Sequence, residues 1–540
     1  MFVLAFKPFI PFKDENAKTP EKAHILIPGH APLKDLKRSE NVQDQNANAK
    51  TPNSGMYFFS RVIFFGNFDF FLHVCLAFKP FIPFKDENAK TPFKVFSRPP
   101  EQIITPLGGR FGQFNVMTPI TERTFEFTSS NPCNPFDPVI LSSLISRVPT
   151  DLQFHDLRGQ QSNKLNELER FVKKVRKKSS GSDKTDVLDC SAFTLVLRGH
   201  KFNVTEKLGE GGFGSVFKAR DAGIQMEDED DDDEDDDGDE ELSSMVALKV
   251  VKPRNIWEYH VLRRLYSSLP PSLRRSVVLP HALYAFDDES YLVLELCPQG
   301  MLLNIINNAV SAGVSQAGAC LDELLVMFFS VELLRLVEAI HNAGFIHGDL
   351  KIDNCLLRLE DVPGGATAWS STYQPSGEGG WSYKGLKVID FGRTIDTRLF
   401  PHDQQFIADW DTDERDCFEV RENRPWTYQT DYFGLAGIIY CMLFGKYIQA
   451  SSVLAFIDED EGIQKYRIAT PLKRYWQTDI WNRLFDTLLN PCLVRPNGEL
   501  PVCDELGELR NEMEDWLQAN CNRTSNTLKG LLKKVEMSCY

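Results

Sequence analysis

The chain has 540 residues, 42% hydrophobic and 25% charged, the balance of a globular protein long enough for two or three domains. Its formal net charge is −16, but fourteen carboxylates crowd into residues 227–241 and leave a remainder of about −2, so no general affinity for nucleic acid or an acidic membrane is expected. The twelve cysteines form no C-x-x-C pair, which indicates neither a zinc site nor a disulfide framework and fits a reducing cytosol or nucleus.

Residues 1–130 read as a largely disordered region: Pro, Asn, Lys and Thr-Pro pairs dominate and no apolar period persists. The apolar start before Lys7 is too short for a signal-peptide core. Residues 56–78 are the one membrane candidate, but Arg61, Asn67, Asp69 and His73 interrupt them, so no membrane span is expected. Residues 4–20 recur identically as 76–92, with a fragment at 48–52. One reading is a duplication or an error in the coding sequence. The other is a linear docking motif, with Phe9 and Phe12 (again Phe81 and Phe84) as aromatic anchors followed by acid. Thr19, Thr51, Thr91, Thr105 and Thr118 each precede proline and are candidates for proline-directed phosphorylation.

Residues 131–200 read as an N-terminal extension of a domain that begins near residue 201. Apolar spacing predicts a short helix near 139–145 and an amphipathic one from Leu165 to Val175. The latter ends in the basic run 173–178, either a nuclear-import signal or lysines well placed at a helix C-terminus. Strands at 193–197 and 202–208 lead into Gly209, Gly211 and Gly214, spaced G-x-G-x-x-G, followed by Val216 and a second strand. That is a hairpin over phosphates, with Phe213 at its tip, rather than a turn opening a helix. An acidic insertion, 222–244, is expected to be solvated and disordered; a site for histones or other basic partners is the sharper alternative.

A strand then carries Lys249, and a helix opening at Trp257 carries Glu258, the partner expected to hold that lysine. Residues 291–297 read as a strand and hinge whose backbone, from Glu295 to Cys297, would meet an adenine edge behind which Leu294 lies. An apolar helix over 321–339 delivers the chain to His347-Gly348-Asp349-Leu350-Lys351-Ile352-Asp353-Asn354. Residues 360–385 read as a flexible insertion, and the next strand presents Asp390-Phe391-Gly392. Asp431 opens an apolar helix, where it can cap and also hydrogen-bond the catalytic-loop backbone. Beyond it lie amphipathic helices with no evident chemistry.

These parts, in this order, are what phosphoryl transfer needs: positioning, and neutralisation of charge spread over the moving group. Gly209, Gly211 and Gly214 would cover the phosphates of ATP and Lys249 would hold them. Asp349 would orient a substrate hydroxyl and take its proton, and Lys351 would neutralise the γ-phosphate. Asn354 and Asp390 would hold Mg2+. The fold class expected is α+β, a bilobal protein kinase fold over 201–540 with a small antiparallel β lobe and a large helical lobe. Small-molecule kinases share the H-G-D loop but generally lack both the glycine hairpin and this D-F-G triplet.

The flanks of these motifs narrow the resemblance. Trp257-Glu258-Tyr259, the loop 347–354, residues 389–401, residues 424–434 and Tyr440-Cys-Met-Leu-Phe-Gly-Lys-Tyr447 together resemble the spindle-checkpoint kinases called "budding uninhibited by benzimidazoles", over about residues 190–540. Membership implies a Ser/Thr kinase of the nucleus and the kinetochore or centromere, cytoplasmic outside mitosis, that phosphorylates a core-histone tail and works with checkpoint proteins. It also implies that the Phe9/Phe12 and Phe81/Phe84 motifs dock the activator of the anaphase-promoting complex, and that residues 117–124 bind a checkpoint partner when phosphorylated. The rival is a catalytically silent scaffold acting through the N-terminal motifs; loss of Lys249, Asp349, Asn354 or Asp390 would favour it, and all four are present. Gly348 replaces the usual arginine, and Arg424-Pro425-Trp426 replaces Ala-Pro-Glu. Activation-segment phosphorylation is therefore not expected to be the main switch; packing of that segment and of residues 131–200 is.

Overall fold

A computed structural model describes residues 129–179, 192–211, 214–224, 245–316, 320–459, 462–523 and 526–539. The repeated Phe motifs, the Thr-Pro sites, residues 56–78 and 117–124, Phe213 and the acidic run lie outside them.

The extension opens with α1 (Pro138–Ser146), where Pro138 occupies the first turn and the Asp137 carboxylate accepts from the Val139 and Ile140 N–H groups. Strand β1 (Phe154–Asp156) and helix α2 (Leu165–Ser179) come next. Leu168 and Val172, four apart on α2, are buried against Leu195, Leu197, Phe202 and Val204, so α2 covers the outer face of the sheet.

That sheet has seven strands in the order β1-β6-β7-β5-β4-β3-β2, with β2 Phe193–Leu197, β3 His200–Gly211, β4 Gly214–Ile224, β5 Met245–Val251, β6 Pro280–Ala285 and β7 Ser290–Glu295. All neighbours are antiparallel except β1, which joins β6 in parallel. The extension thus supplies both edge strands, β1 and β2, of the lobe, so the domain's sheet begins before residue 201. Pairing of β3 with β4 continues to His200 opposite Ile224, so residues 222–224 belong to the hairpin and not to the insertion. Helix α3 (Trp257–Ser268) lies against the sheet and comes between β5 and β6 in sequence.

The second lobe holds α4 (Leu302–Asn307), α5 (Glu323–Asn342), α6 (Gln429–Phe444), α7 (Thr478–Leu489), α8 (Cys503–Asn520) and α9 (Leu528–Ser538). Asp322 caps α5 through the Leu324 N–H, and α5 is buried almost all round, as a sequence hydrophobic on nearly every face predicts. Three small ladders accompany the helices: β8 (Phe345–Ile346) with β11 (Ile395–Asp396), β9 (Cys355–Leu359) with β10 (Lys384–Val388), and β12 (Val453–Ile457) with β13 (Gln464–Ile468). Among the described residues no helix is long and apolar enough to cross a membrane.

The segment 360–385, expected to be a flexible insertion, is packed. Trp369, Tyr373 and Trp381 are buried, their rings meet edge to face at 5.2–5.5 Å, and two of them sit on Phe328 of α5. Its glycines make turns between aromatic anchors, and three rings of this size outweigh the local signal of Gly, Ser and Pro.

Candidate active site

The site lies where the sheet meets the helical lobe, and strand alternation aims its lysine. On β5, Val246, Leu248 and Val250 face the outer core; Ala247 and Lys249 point the other way. Lys249 stands in register with Val216 on β4 and Leu292 on β7. Its ammonium donates to both Glu258 oxygens at 2.8 and 2.6 Å and to Asp390 Oδ1 at 2.8 Å. Burial works against the charged lysine, but the carboxylates of Asp390 and Glu258 outweigh it and hold its pKa above the ordinary value. Burial likewise raises Glu258 despite Lys249; for Asp390, burial is outweighed by Lys249 and Lys351, and its pKa falls.

Asp390 sits at φ 66°, ψ 68°, a left-handed conformation that side-chain-bearing residues seldom adopt. What holds it is Phe391, fully buried and packed at 4.7 Å against His347, while Ile389 N donates to the Asn354 carbonyl at 3.0 Å. Burial keeps His347 below its ordinary pKa and so neutral. Asp349 accepts from Lys351 Nζ at 2.7 Å, and Asn354 Nδ2 donates to the Asp349 carbonyl at 2.9 Å. The amide nitrogen being committed there, the Asn354 oxygen is the atom left for a cation. Together with the Asp390 carboxylate it makes a hard-oxygen pair suited to a divalent ion that takes its other ligands from phosphate and water.

Asp431 does not cap its helix. It is the third residue of α6, whose N-cap Tyr428 makes no side-chain bond. Its fully buried carboxylate instead accepts from the backbone N–H of His347 at 2.7 Å, of Gly348 at 2.8 Å and from His341 Nε2 at 2.9 Å. Three donors on one buried carboxylate fix the catalytic loop from beneath.

In the glycine hairpin, Gly214 is the position that demands glycine. At φ +124° a Cβ there would collide with the Val250 carbonyl of β5, whereas no described residue stands near a Cβ on Gly209 or Gly211. At the hinge, the Glu295 N–H is taken by the Leu279 carbonyl at 3.0 Å and the Glu295 carboxylate by Leu279 N and Lys387. Of the hinge groups expected to meet an adenine edge, the Glu295 N–H is thus already taken, while Cys297 is half-buried, with a thiol that burial pushes up to about 12.

Further residues, some within the motif flanks and some in the extension, order this site. Trp257 Nε1 donates to the Thr394 carbonyl at 2.9 Å and Arg264 pairs with buried Asp396 at 2.7 Å, so α3 is tied to the chain just past the metal triplet. On its other side Asp151 accepts from Tyr259 Oη at 2.6 Å and Arg263 Nε at 2.8 Å, and Phe154 packs on Tyr259 and His260. The same extension grips the activation segment. Cys133 N donates to Gln405 O and Ile407 N to Cys133 O, Arg147 reaches the Leu399 carbonyl at 2.7 Å, and Phe136 meets Trp410.

A family profile described as a protein kinase domain matches residues 202–533. The chain belongs to the protein kinase family. Sites of this family take ATP and typically a divalent metal, and their substrates are proteins. The kinase is 37% identical over 481 residues to the spindle assembly checkpoint serine/threonine-protein kinase bub1 of Schizosaccharomyces pombe, a match covering 87% of this chain and 43% of that protein. It is 34% identical to BUB1 of Saccharomyces cerevisiae, covering 71% of this chain and 34% of the relative. To the mitotic checkpoint kinase BUB1 of Arabidopsis thaliana it is 34% identical, covering 64% and 58%. The chain therefore spans less than half the length of the first two. The checkpoint-kinase resemblance read from the motif flanks is matched by these relatives. In fold it is similar to the crystal structure of the BubR1 kinase domain, with a TM-score of 0.52 at 23% identity, covering 75% of this chain and all of that one.

Proposed function

We propose that this kinase is an ATP- and Mg2+-dependent Ser/Thr kinase of the mitotic spindle checkpoint, acting on chromatin or kinetochore proteins such as a core-histone tail. The observation that carries the catalytic part is the Lys249 ammonium, held at once by Glu258 and Asp390 within hydrogen-bond distance. A scaffold that had abandoned catalysis would have no need to keep a buried cation and two carboxylates in register. ATP and metal supply the transferable phosphoryl group and neutralise its charge. Lys249 and the glycine hairpin hold the phosphates, Asn354 and Asp390 hold the metal, Asp349 orients the acceptor hydroxyl and takes its proton, and Lys351 sits beside it. The checkpoint role rests on the names of the relatives, spindle assembly or mitotic checkpoint kinases; nuclear and kinetochore placement is inferred from that role alone. Docking of the activator of the anaphase-promoting complex through Phe9/Phe12 and Phe81/Phe84 belongs to the same proposal. Radiolabelled ATP, magnesium and core histones test the enzyme reading against Asp349→Asn, which is expected to lose on the order of 10²–10⁴ in kcat while still binding ATP. Equal transfer by the two proteins, or none by the wild type with magnesium and ATP bound, sinks it.

A further inference from the structure

Gly348 stands directly before the catalytic aspartate at φ +78°, and a Cβ on it would run into the Arg393 carbonyl. The loop residue that could carry a side chain toward the activation segment is thus replaced by the backbone of Arg393, and the Arg393 side chain lies in the space beside it. Its guanidinium stacks over the Trp410 ring at 4.5 Å, and one nitrogen stands 3.7 Å from Asp349 Oδ1. Trp410 in turn packs against Phe136 of the extension at 6.2 Å and against Trp426 at 6.1 Å. A second carboxylate, Asp416, feels both Arg393 and Asp349, and the Asp413 N–H donates to it at 2.8 Å.

We propose that Arg393 is a positioning residue that couples the activation segment to catalysis: seated on Trp410, its cation orients the Asp349 carboxylate toward the acceptor hydroxyl. The inference rests on the kinase reading above. In kinases controlled by phosphorylation, an arginine beside the catalytic aspartate orders the segment by pairing with a phosphate. Here an aromatic face supplied by the segment itself takes the place of that anion. A cation over an indole needs no modification to form. Order then comes from aromatic packing continuous with residues 129–157, so this carboxylate is set whenever the extension is docked.

The test uses the full-length chain, with magnesium, radiolabelled ATP and a core-histone mixture as acceptor. Arg393→Gln is expected to lower kcat on the order of tenfold to a hundredfold, with KM for ATP changed by no more than about twofold because Lys249 and Glu258 are untouched. Arg393→Lys, which keeps a cation over Trp410, recovers most of the loss. Trp410→Leu lowers kcat similarly, and the double variant is no worse than the poorer single one, since both break one coupling. Full kcat in Arg393→Gln, no rescue by lysine, or losses that multiply would overturn the proposal. Hydrogen exchange of residues 347–354 on the same proteins gives a readout independent of turnover. Trp410→Leu should loosen the loop when Arg393 is present and add nothing in Arg393→Gln. A wild type that shows this coupling but transfers no phosphate refutes the kinase reading and leaves the coupling standing. Equal loosening in both backgrounds refutes the coupling alone.

Discussion

The nucleotide end of the site and the activation segment are neighbours in space, yet different physics holds each. The nucleotide end is held by charge: Lys249 between Glu258 and Asp390, and Asp431 beneath the catalytic loop. The activation segment is held mainly by backbone bridges and rings, Cys133 to Phe406 to Trp426, and Phe136 to Trp410 to Arg393, with the pair Arg264–Asp396 the charged exception at its start. Charge pairs need particular residue types at particular places and so leave motifs. Aromatic and backbone packing accepts many sequences and leaves none. The difference explains how this kinase can dispense with an arginine before its catalytic aspartate without losing order in the segment.

The largest effect is expected at the charged end. Lys249→Met strands two carboxylates that share one buried cation, and a loss of about 3 kcal/mol in folding stability together with transfer activity is expected. A stable, active variant, by denaturant melts and phosphotransfer, would show that charge does not hold this end. Gly348→Arg, which restores the common loop residue, forces a left-handed arginine onto the Arg393 carbonyl. Strain of about 1–3 kcal/mol and a fall in kcat of roughly tenfold or more are expected. A variant that became active only when phosphorylated would show instead that the segment still accepts control by phosphate.

At the packed end, Asp151→Ala removes the acceptor for Tyr259 and Arg263. A cost of about 1–2 kcal/mol is expected, with a smaller fall in kcat as α3 loosens. An unchanged melt would confine the hold of the extension to its aromatic contacts. Acid tests the loop between the two ends. His347 is kept neutral by burial, so its folded pKa lies below 6.5. The unfolded chain takes up the proton first, and this contribution to stability, complete above about pH 6.5, is lost as pH falls below it. His347→Phe should flatten the fall in Tm between about pH 7 and pH 5; an unchanged slope would assign it to His155, His260 or His281, which burial also lowers. The smallest effect is expected from phosphatase: treated and untreated protein should transfer phosphate at the same rate. A large loss restored by one phosphothreonine between 394 and 430 would return this enzyme to the common mode of control.

Much of the site could be read in advance because its residues obey local rules. The apolar run Val246-Ala247-Leu248 already read as a strand carrying Lys249, and the glycine spacing between strands already implied a hairpin. Two local rules misled. The Gly-Ser-Pro content of 360–385 gave no weight to Trp369, Tyr373 and Trp381, whose burial depends on Phe328 of a distant helix. A carboxylate near a helix start suggested a cap; Asp431 makes none, and only its other expected role is met, on the catalytic loop more than eighty residues earlier.

The chemistry was written in the residues alone: which lysine, which carboxylates and which amide, in an order that phosphoryl transfer requires, and a glycine where arginine is usual. What that glycine means depends on the folded chain. The bonds from Asn131 to Asp403 and from Arg147 to Leu399, and the stack from Phe136 through Trp410 to Arg393, join residues more than two hundred and fifty apart or set at no periodic spacing. Periodicity reports which face of an element is buried, never against what. The partner of Gly348 in this kinase is a carbonyl and an indole brought from elsewhere in the chain, and no local pattern could have named them.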